Sequence, residues 1–96
     1  MFYLYIIKSK KDRKLYIGIT SNLRKRFREH NTGEVESTRY RRPFILVYYE
    51  AYYSFEDVKE RERRLKQFKN TYTELKKRIS HSLAEIKKSG GGLTKF

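Results

Sequence analysis

The sequence predicts an α+β fold, in which a small three-stranded antiparallel sheet is flanked by helices in the order β-β-α-β-α-α. Two segments rich in aromatic and β-branched residues, 2–8 and 14–19, flank a polar turn at 9–13, which is typical of a β-hairpin. Later segments carry apolar residues at helical spacing and follow residue types that cap helices. A chain of 96 residues can build one modest core and is too short for two.

The predicted hairpin has two chemically different faces. If the turn is centred on residues 10–11, Tyr5 lies across from Tyr16, and strand alternation places Tyr3 and Gly18 on the same face. The opposite face is entirely apolar and carries Phe2, Leu4, Ile6, Leu15, Ile17 and Ile19. We therefore expect the apolar face to form the core and the tyrosine face to carry the chemistry.

A first helix is predicted over residues 23–30, because residues 20–22 are all capable of capping a helix. Arg26 and His30 lie four residues apart in it, so both side chains can project from the same side. A polar loop at residues 34–42 should then lead to the third strand.

The third strand is predicted at residues 45–50, and a second helix after it. Ser54 and Asp57 have the spacing of a capping box that opens this helix. Thr71 and Glu74 have the same spacing and predict the start of a third helix, whose apolar positions are Tyr72, Leu75, Ile79, Leu83 and Ile86. Residues 1–88 should form the single domain, and the glycine-rich residues 89–96 a flexible tail.

Glu62 stands out on the second helix, because the other inward positions on its stripe are largely apolar. A carboxylate in such surroundings is costly unless it is paired, protonated or bound to a cation. An ion pair with a neighbouring Arg or Lys is one reading, since the chain is rich in both. A divalent cation that neutralises charge on a phosphodiester is the other.

The charge balance indicates a polyanionic partner. The 24 Lys and Arg residues outnumber the 11 Asp and Glu, giving a net charge of +13. Nucleic acid is the first candidate and an anionic membrane surface the second; nine Tyr and six Phe favour nucleic acid mildly, because they can stack on bases. With no cysteine, any bound metal must be a hard ion on oxygen ligands. The apolar run at residues 2–7 is too short for a signal peptide or a membrane span, so we expect a soluble cytoplasmic protein.

Several short motifs, in order along residues 2–80, resemble the GIY-YIG nuclease superfamily. The first signature lacks its leading Gly and Ile but keeps the tyrosine. The chain looks most like the small stand-alone bacterial members, which are similar to the N-terminal domain of the excision-repair nuclease. The motifs are Tyr3-Leu4-Tyr5, Tyr16-Ile17-Gly18, Asn22-Leu23 with Arg26 and His30, and Arg61-Glu62 with Leu65-Lys66.

The resemblance implies a metal-dependent endonuclease that hydrolyses DNA phosphodiester bonds in DNA repair or processing. Tyr16 would be the general base acting on water, and Tyr5 would orient the nucleophile or the second tyrosine. Arg26 would stabilise the transition state, and His30 would lie near the nucleophile. Glu62 would bind one divalent ion, Mg²⁺ or Mn²⁺.

The expected partner is DNA, including branched or damaged DNA, and not a membrane. The alternative is a non-catalytic nucleic-acid-binding module that keeps the nuclease fold. A weaker third option is a basic protein that recognises membrane or RNA through its Lys-rich last helix. The residues expected to contact nucleic acid are Arg24, Lys25, Arg39, Arg41, Arg42 and Lys66.

Overall fold

The computed structural model describes residues 1–89, and it confirms the α+β architecture with a three-stranded antiparallel sheet. One helix more than predicted follows the third strand, and every helix in this range is too short or too polar to cross a membrane. Apart from Ser89, the predicted flexible tail lies outside the described residues. The elements are β1 (Phe2–Ser9), β2 (Leu15–Thr20), α1 (Leu23–Thr32), a 3₁₀ turn (Arg39–Arg41), β3 (Phe44–Tyr52), α2 (Phe55–Gln67), α3 (Lys69–Arg78) and α4 (Ser80–Ser89).

The sheet has the strand order β2-β1-β3, so β1 is central and β2 is an edge strand. Tyr5 pairs with Gly18, and Ile7 pairs with Tyr16. The predicted pairing of Tyr5 with Tyr16 was therefore wrong by two residues. Because the shift is even, every side chain keeps its predicted face.

The apolar face of the hairpin forms the main core, as predicted. Leu4 and Ile6 are fully buried there against Val58 and Leu65 of α2. The helices α3 and α4 complete this layer. Their contributions are Tyr72, Leu75, Ile79 and Leu83.

The tyrosine face is also covered, by α1. Tyr5 is only 1% exposed and forms a second, smaller cluster with Ile7 and Phe44. Leu23 and Phe27 of α1 pack against this cluster. The sheet thus lies between α1 on one side and α2, α3 and α4 on the other.

The ends of α1 follow from local chemistry. The side chain of Asn22 accepts a hydrogen bond from the Lys25 backbone N–H, which confirms the predicted cap. The helix continues past its predicted end to Thr32 and stops where Gly33 adopts a φ of 84°.

The starts of the later helices differ from the prediction. Ser54 caps α2, but it accepts from the backbone N–H of Glu56. The capping box predicted at Thr71 was wrong, because α3 already begins at Lys69 after the extended residue Phe68. Ile79 then leaves helical geometry, with φ −107° and ψ 24°, and divides the predicted third helix into α3 and α4.

Candidate active site

The Tyr5 hydroxyl lies over the edge strand β2. A Cβ atom built on Gly18 would stand only 2.5 Å from this oxygen, closer than two such atoms can approach. Any residue larger than glycine at position 18 would therefore displace the Tyr5 ring. The second signature glycine makes room for the first signature tyrosine, and β1 and β2 together place the hydroxyl near the free edge of the sheet.

A buried hydrogen-bond chain runs from Tyr5 through His30 to Thr38. The Tyr5 hydroxyl lies 2.8 Å from His30 Nε2, and His30 Nδ1 lies 2.8 Å from Thr38 Oγ1. The Thr38 hydroxyl donates to the Val35 carbonyl. Because the Thr38 hydrogen is used in that bond, Thr38 Oγ1 can only accept from His30, which leaves His30 Nε2 as the acceptor for the Tyr5 hydroxyl. His30 Nδ1–H then donates to Thr38, and every group in the chain is satisfied.

Burial keeps both ends of the Tyr5–His30 pair uncharged. It lowers the pKa of His30 to about 4, with a further contribution from the positive charge of Arg26. It raises the pKa of Tyr5 to about 12, where Tyr16 and the negative charge of Glu62 add to the effect and Arg26 opposes it. His30 is fully buried, so it presents no surface to DNA and acts by holding Tyr5.

Arg26 connects this interior pair to the surface. Its side chain is 38% exposed and forms an ion pair with Glu29 at 3.2 Å. Burial acts to lower the pKa of Arg26, but the interactions with Tyr5 and Glu29 outweigh it and raise the pKa. The guanidinium therefore stays charged, and it is anchored on Tyr5 while part of it faces solvent.

Tyr16 differs from Tyr5 in that its hydroxyl is unengaged. Its ring is half-buried and packs edge-on against the His30 ring, with centroids 5.1 Å apart. Among residues 1–89, no group forms a hydrogen bond with the Tyr16 hydroxyl. The Tyr16 ring is packed against His30, and its hydroxyl has no hydrogen-bond partner among the described residues.

The charge of Glu62 acts on the Tyr5 hydroxyl, because it contributes to the raised pKa of Tyr5. Its side chain is 25% exposed, and its carboxylate forms an ion pair with Lys66 at 3.0 Å. Lys66 is one helical turn further along α2 and 51% exposed. Such pairs contribute only about 0.3–0.5 kcal/mol, so a cation can displace the lysine.

Among the described residues, Glu29 and Glu62 are the carboxylates that act on this site, and Glu29 is already paired with Arg26, which leaves Glu62 as the candidate metal ligand. Within residues 1–89, His, Asp and Glu side chains nowhere gather in a group of three that could hold a metal. Mg²⁺ commonly retains several waters and takes one or two carboxylates together with substrate phosphates. Glu62 fits that mode of binding, with water and phosphate oxygens as the remaining ligands.

The residues expected to contact nucleic acid fall into two groups. Arg24 and Lys25 are exposed on the first turn of α1, next to Arg26. Arg39 and Arg42 are exposed between α1 and β3. Lys66 is exposed too, but it is paired with Glu62.

Arg41 forms the second group on its own, because its guanidinium is held within the protein. It binds the Asp12 carboxylate at 2.6 Å and donates to the Lys14 carbonyl at 3.2 Å. This contact holds the pKa of Asp12 down at about 2. Arg41 ties the 3₁₀ turn to the β1–β2 turn, and it has less freedom than Arg39 and Arg42 to reach a phosphate.

Thr38 is the residue of this site that sequence reasoning missed. It is fully buried and forms a hydrogen bond with Nδ1 of His30. A single threonine in a polar loop gives no periodic or motif signal. Thr38 reaches His30 because the loop after α1 folds back against this helix.

The family model described as the GIY-YIG catalytic domain matches residues 1–78. A UPF0213 protein of Staphylococcus haemolyticus (strain JCSC1435) is 42% identical over 67 residues, which cover 69% of this chain and 80% of that protein. A UPF0213 protein of Clostridium perfringens (strain 13 / Type A) is 43% identical over 67 residues, covering 69% and 71%. One of Streptococcus pyogenes serotype M5 (strain Manfredo) is 44% identical over 55 residues, covering 56% and 59%. No solved structure matches the chain.

Proposed function

The chain belongs to the GIY-YIG catalytic domain family, a nuclease family, and from this premise we propose that it is a metal-dependent endonuclease that hydrolyses DNA phosphodiester bonds. One observation carries the proposal. The partly exposed Tyr16 and Arg26 adjoin the buried, neutral Tyr5–His30 pair, and the charge of Glu62 acts on Tyr5. Mere binding of DNA would not need this combination.

The charged residues have complementary tasks. Arg26 donates to a non-bridging oxygen of the scissile phosphate and stabilises the charge that grows there in the transition state. Glu62 holds the divalent ion, Mg²⁺ or Mn²⁺. When bound, that ion supplies Lewis-acid neutralisation of the phosphate.

The two tyrosines divide the remaining work. Tyr16 is the general base, because its side chain is partly exposed and its hydroxyl has no hydrogen-bond partner among the described residues. Tyr5 is a positioning residue: its proton is donated to His30, and its oxygen interacts with the charge of Arg26. Its pKa of about 12 keeps it a phenol at neutral pH, so it orients Arg26 without taking a proton.

The substrate is DNA, and a branched or damaged form would match a role in DNA repair or processing. The exposed cations beside α1, Arg24 and Lys25, and those before β3, Arg39 and Arg42, bind backbone phosphates. Binding should therefore weaken steeply as salt is raised.

A second function, a non-catalytic nucleic-acid-binding module, is favoured by one contact. Lys66 already neutralises Glu62 at 3.0 Å and stands where a metal ion would have to bind. If this pair persists on DNA, the carboxylate cannot hold an ion.

A substrate screen separates the two functions. The purified protein is incubated with linear duplex, single-stranded and branched DNA in Mg²⁺, in Mn²⁺ and in EDTA. The nuclease proposal expects cut products in at least one metal and none in EDTA. Salt-sensitive binding without cutting of any substrate in either metal would instead establish the binding module.

A further inference from the structure

A hollow lined by aromatic rings opens beside the candidate active site. Tyr3, Tyr49 and Phe27 line it together with Leu46, and Arg24 stands at its rim. Its volume of about 460 Å³ falls within the range of roughly 300–1,000 Å³ that is usual for small-ligand sites. The hollow is large enough for a single planar ring system.

The helix α1 covers Tyr5 but leaves the neighbouring rings of the hollow partly exposed. Strand alternation puts Tyr3 and Tyr5 on one face, and Tyr49 of β3 pairs directly with Tyr5. Tyr5 is buried under α1, whereas Tyr49 remains 53% exposed. The rings of Tyr3 and Tyr49 meet edge to face, with centroids 6.0 Å apart and planes at 65°. They form two walls of an open corner instead of closing the core.

The hollow continues into the candidate active site. A second depression, which contains Arg26 and Lys25, shares Ser21 and Asn22 with the aromatic hollow. The two depressions thus meet at the start of α1. Arg26 therefore lies in the depression that adjoins the aromatic hollow, and Arg24 lines the hollow itself.

We propose that this hollow binds one unpaired nucleobase of a DNA strand whose phosphate is held at Arg26. The inference rests on the proposed function and narrows its substrate to DNA with a single-stranded or extrahelical nucleotide beside the scissile bond. A base in an intact duplex is paired and stacked, and it cannot enter a pocket without being extruded. An unpaired base offers its π-face to Tyr3 and Tyr49, and such stacking is tolerant of base identity.

The test measures binding in EDTA, so it requires no cleavage. Fluorescence anisotropy gives the affinity of the protein for a single-stranded oligonucleotide, for a duplex, and for a single strand of equal length whose residues are abasic. The wild-type protein should bind the abasic strand about tenfold more weakly than the normal strand, because the phosphates are unchanged and the stacked base is missing. Equal affinity for these two strands would overturn the proposal without any variant.

Matched variants locate the effect. Tyr49→Ala should weaken binding of the single strand by about tenfold and leave the abasic strand and the duplex nearly unchanged. Tyr49→Phe keeps the ring and should bind like the wild type. Tyr53→Ala is the control, because Tyr53 is 91% exposed and lies outside the hollow. An equal loss for the normal and abasic strands in Tyr49→Ala, or no loss at all, would contradict base binding.

The two proposals can fail separately. A protein that cuts DNA while Tyr49→Ala binds single strands normally would refute the base site and leave the nuclease intact. A protein that discriminates normal from abasic strands and never cuts would refute the nuclease and leave the base site intact.

Discussion

Glu50 and Glu62 are both partly buried carboxylates, and their surroundings differ sharply. Glu50 of β3 is 14% exposed and accepts hydrogen bonds from Tyr48 at 2.6 Å, from Tyr52, and from Arg61 at 2.8 Å. Burial acts to raise its pKa, but these three donors outweigh burial and lower it. All of its hydrogen-bonding capacity is used inside the protein.

Glu62 follows Arg61 directly in α2 and has one partner, the exposed Lys66. In a chain with so many cations, a structural carboxylate differs from a functional one in how many fixed partners it has. A carboxylate surrounded by fixed donors has nothing left for a ligand. A carboxylate held by one exposed lysine can exchange that lysine for a metal ion.

The largest expected effect separates these two residues by activity. Glu62→Gln should lower the rate of metal-dependent cleavage at least about 100-fold, because the group that holds the ion is lost. Glu50→Gln should cut at a rate close to wild type per folded molecule. Single-turnover cleavage, normalised to the folded fraction, measures both. Similar losses in both variants would erase the distinction between the carboxylates.

The same contrast applies to the tyrosines. Tyr16→Phe should slow cleavage about 100-fold, as expected for loss of a general base, and leave the free energy of unfolding unchanged. Tyr5→Phe should lower the free energy of unfolding by about 1–3 kcal/mol, since it leaves His30 Nε2 buried without a donor. Urea unfolding and single-turnover kinetics test the pair. A Tyr16→Phe protein with wild-type rates would remove Tyr16 as the base.

The two glutamate variants should rank in the opposite order when the loss of unfolding free energy, not of cleavage rate, is compared. Glu50→Gln should cost about 2 kcal/mol of unfolding free energy, because Arg61 loses its charged partner in a partly buried site. Glu62→Gln should cost less than about 1 kcal/mol, as expected for an exposed pair one helical turn apart. Urea unfolding of the two variants provides the measurement. A larger loss in Glu62→Gln would mean that Glu62 is the structural carboxylate.

A further effect concerns pH and the buried histidine. His30 has a pKa of about 4 in the folded protein, below the usual 6.5, so the unfolded chain binds a proton that the folded one does not. Stability is therefore present above pH 6.5 and lost as pH falls, by about 2 kcal/mol between pH 7 and pH 5. Urea unfolding at several pH values checks this.

Two variants assign that pH dependence. His81→Gln, an exposed site on α4, should keep the slope, and His30→Gln should flatten it. If His30→Gln does not fold, an NMR titration of the His30 ring in the wild-type protein gives the same answer. A His30 ring that titrates near its ordinary pKa would contradict the burial argument.

Some of this structure could be predicted because the signals were local. Strand alternation in the hairpin predicted which face forms the core and which carries the tyrosines. Asn22, a residue type that caps helices, predicted the start of α1. The ordered motifs brought together Tyr5, Tyr16, Arg26, His30 and Glu62. Their catalytic roles remain predictions.

Other features depend on contacts that the sequence does not reveal. The hairpin register was missed by two residues because Arg13 takes a φ of 65° and the Ser9 hydroxyl accepts two backbone N–H groups of the turn. The break at Ile79 was missed because apolar spacing continues unchanged across it. Thr38 contacts His30 across a loop, and Arg61 contacts Glu50 from a different element, so these two pairings follow only from the fold.

The central claim, that Glu62 holds the divalent ion, is tested most directly by paramagnetic broadening. Mn²⁺ is added to ¹⁵N-labelled wild-type, Glu62→Gln and Glu50→Gln proteins, and the amide signals of α2 are followed by NMR. We predict that signals around Glu62 broaden in the wild type and in Glu50→Gln and remain sharp in Glu62→Gln. Equal broadening in Glu62→Gln would place the ion elsewhere and contradict the claim.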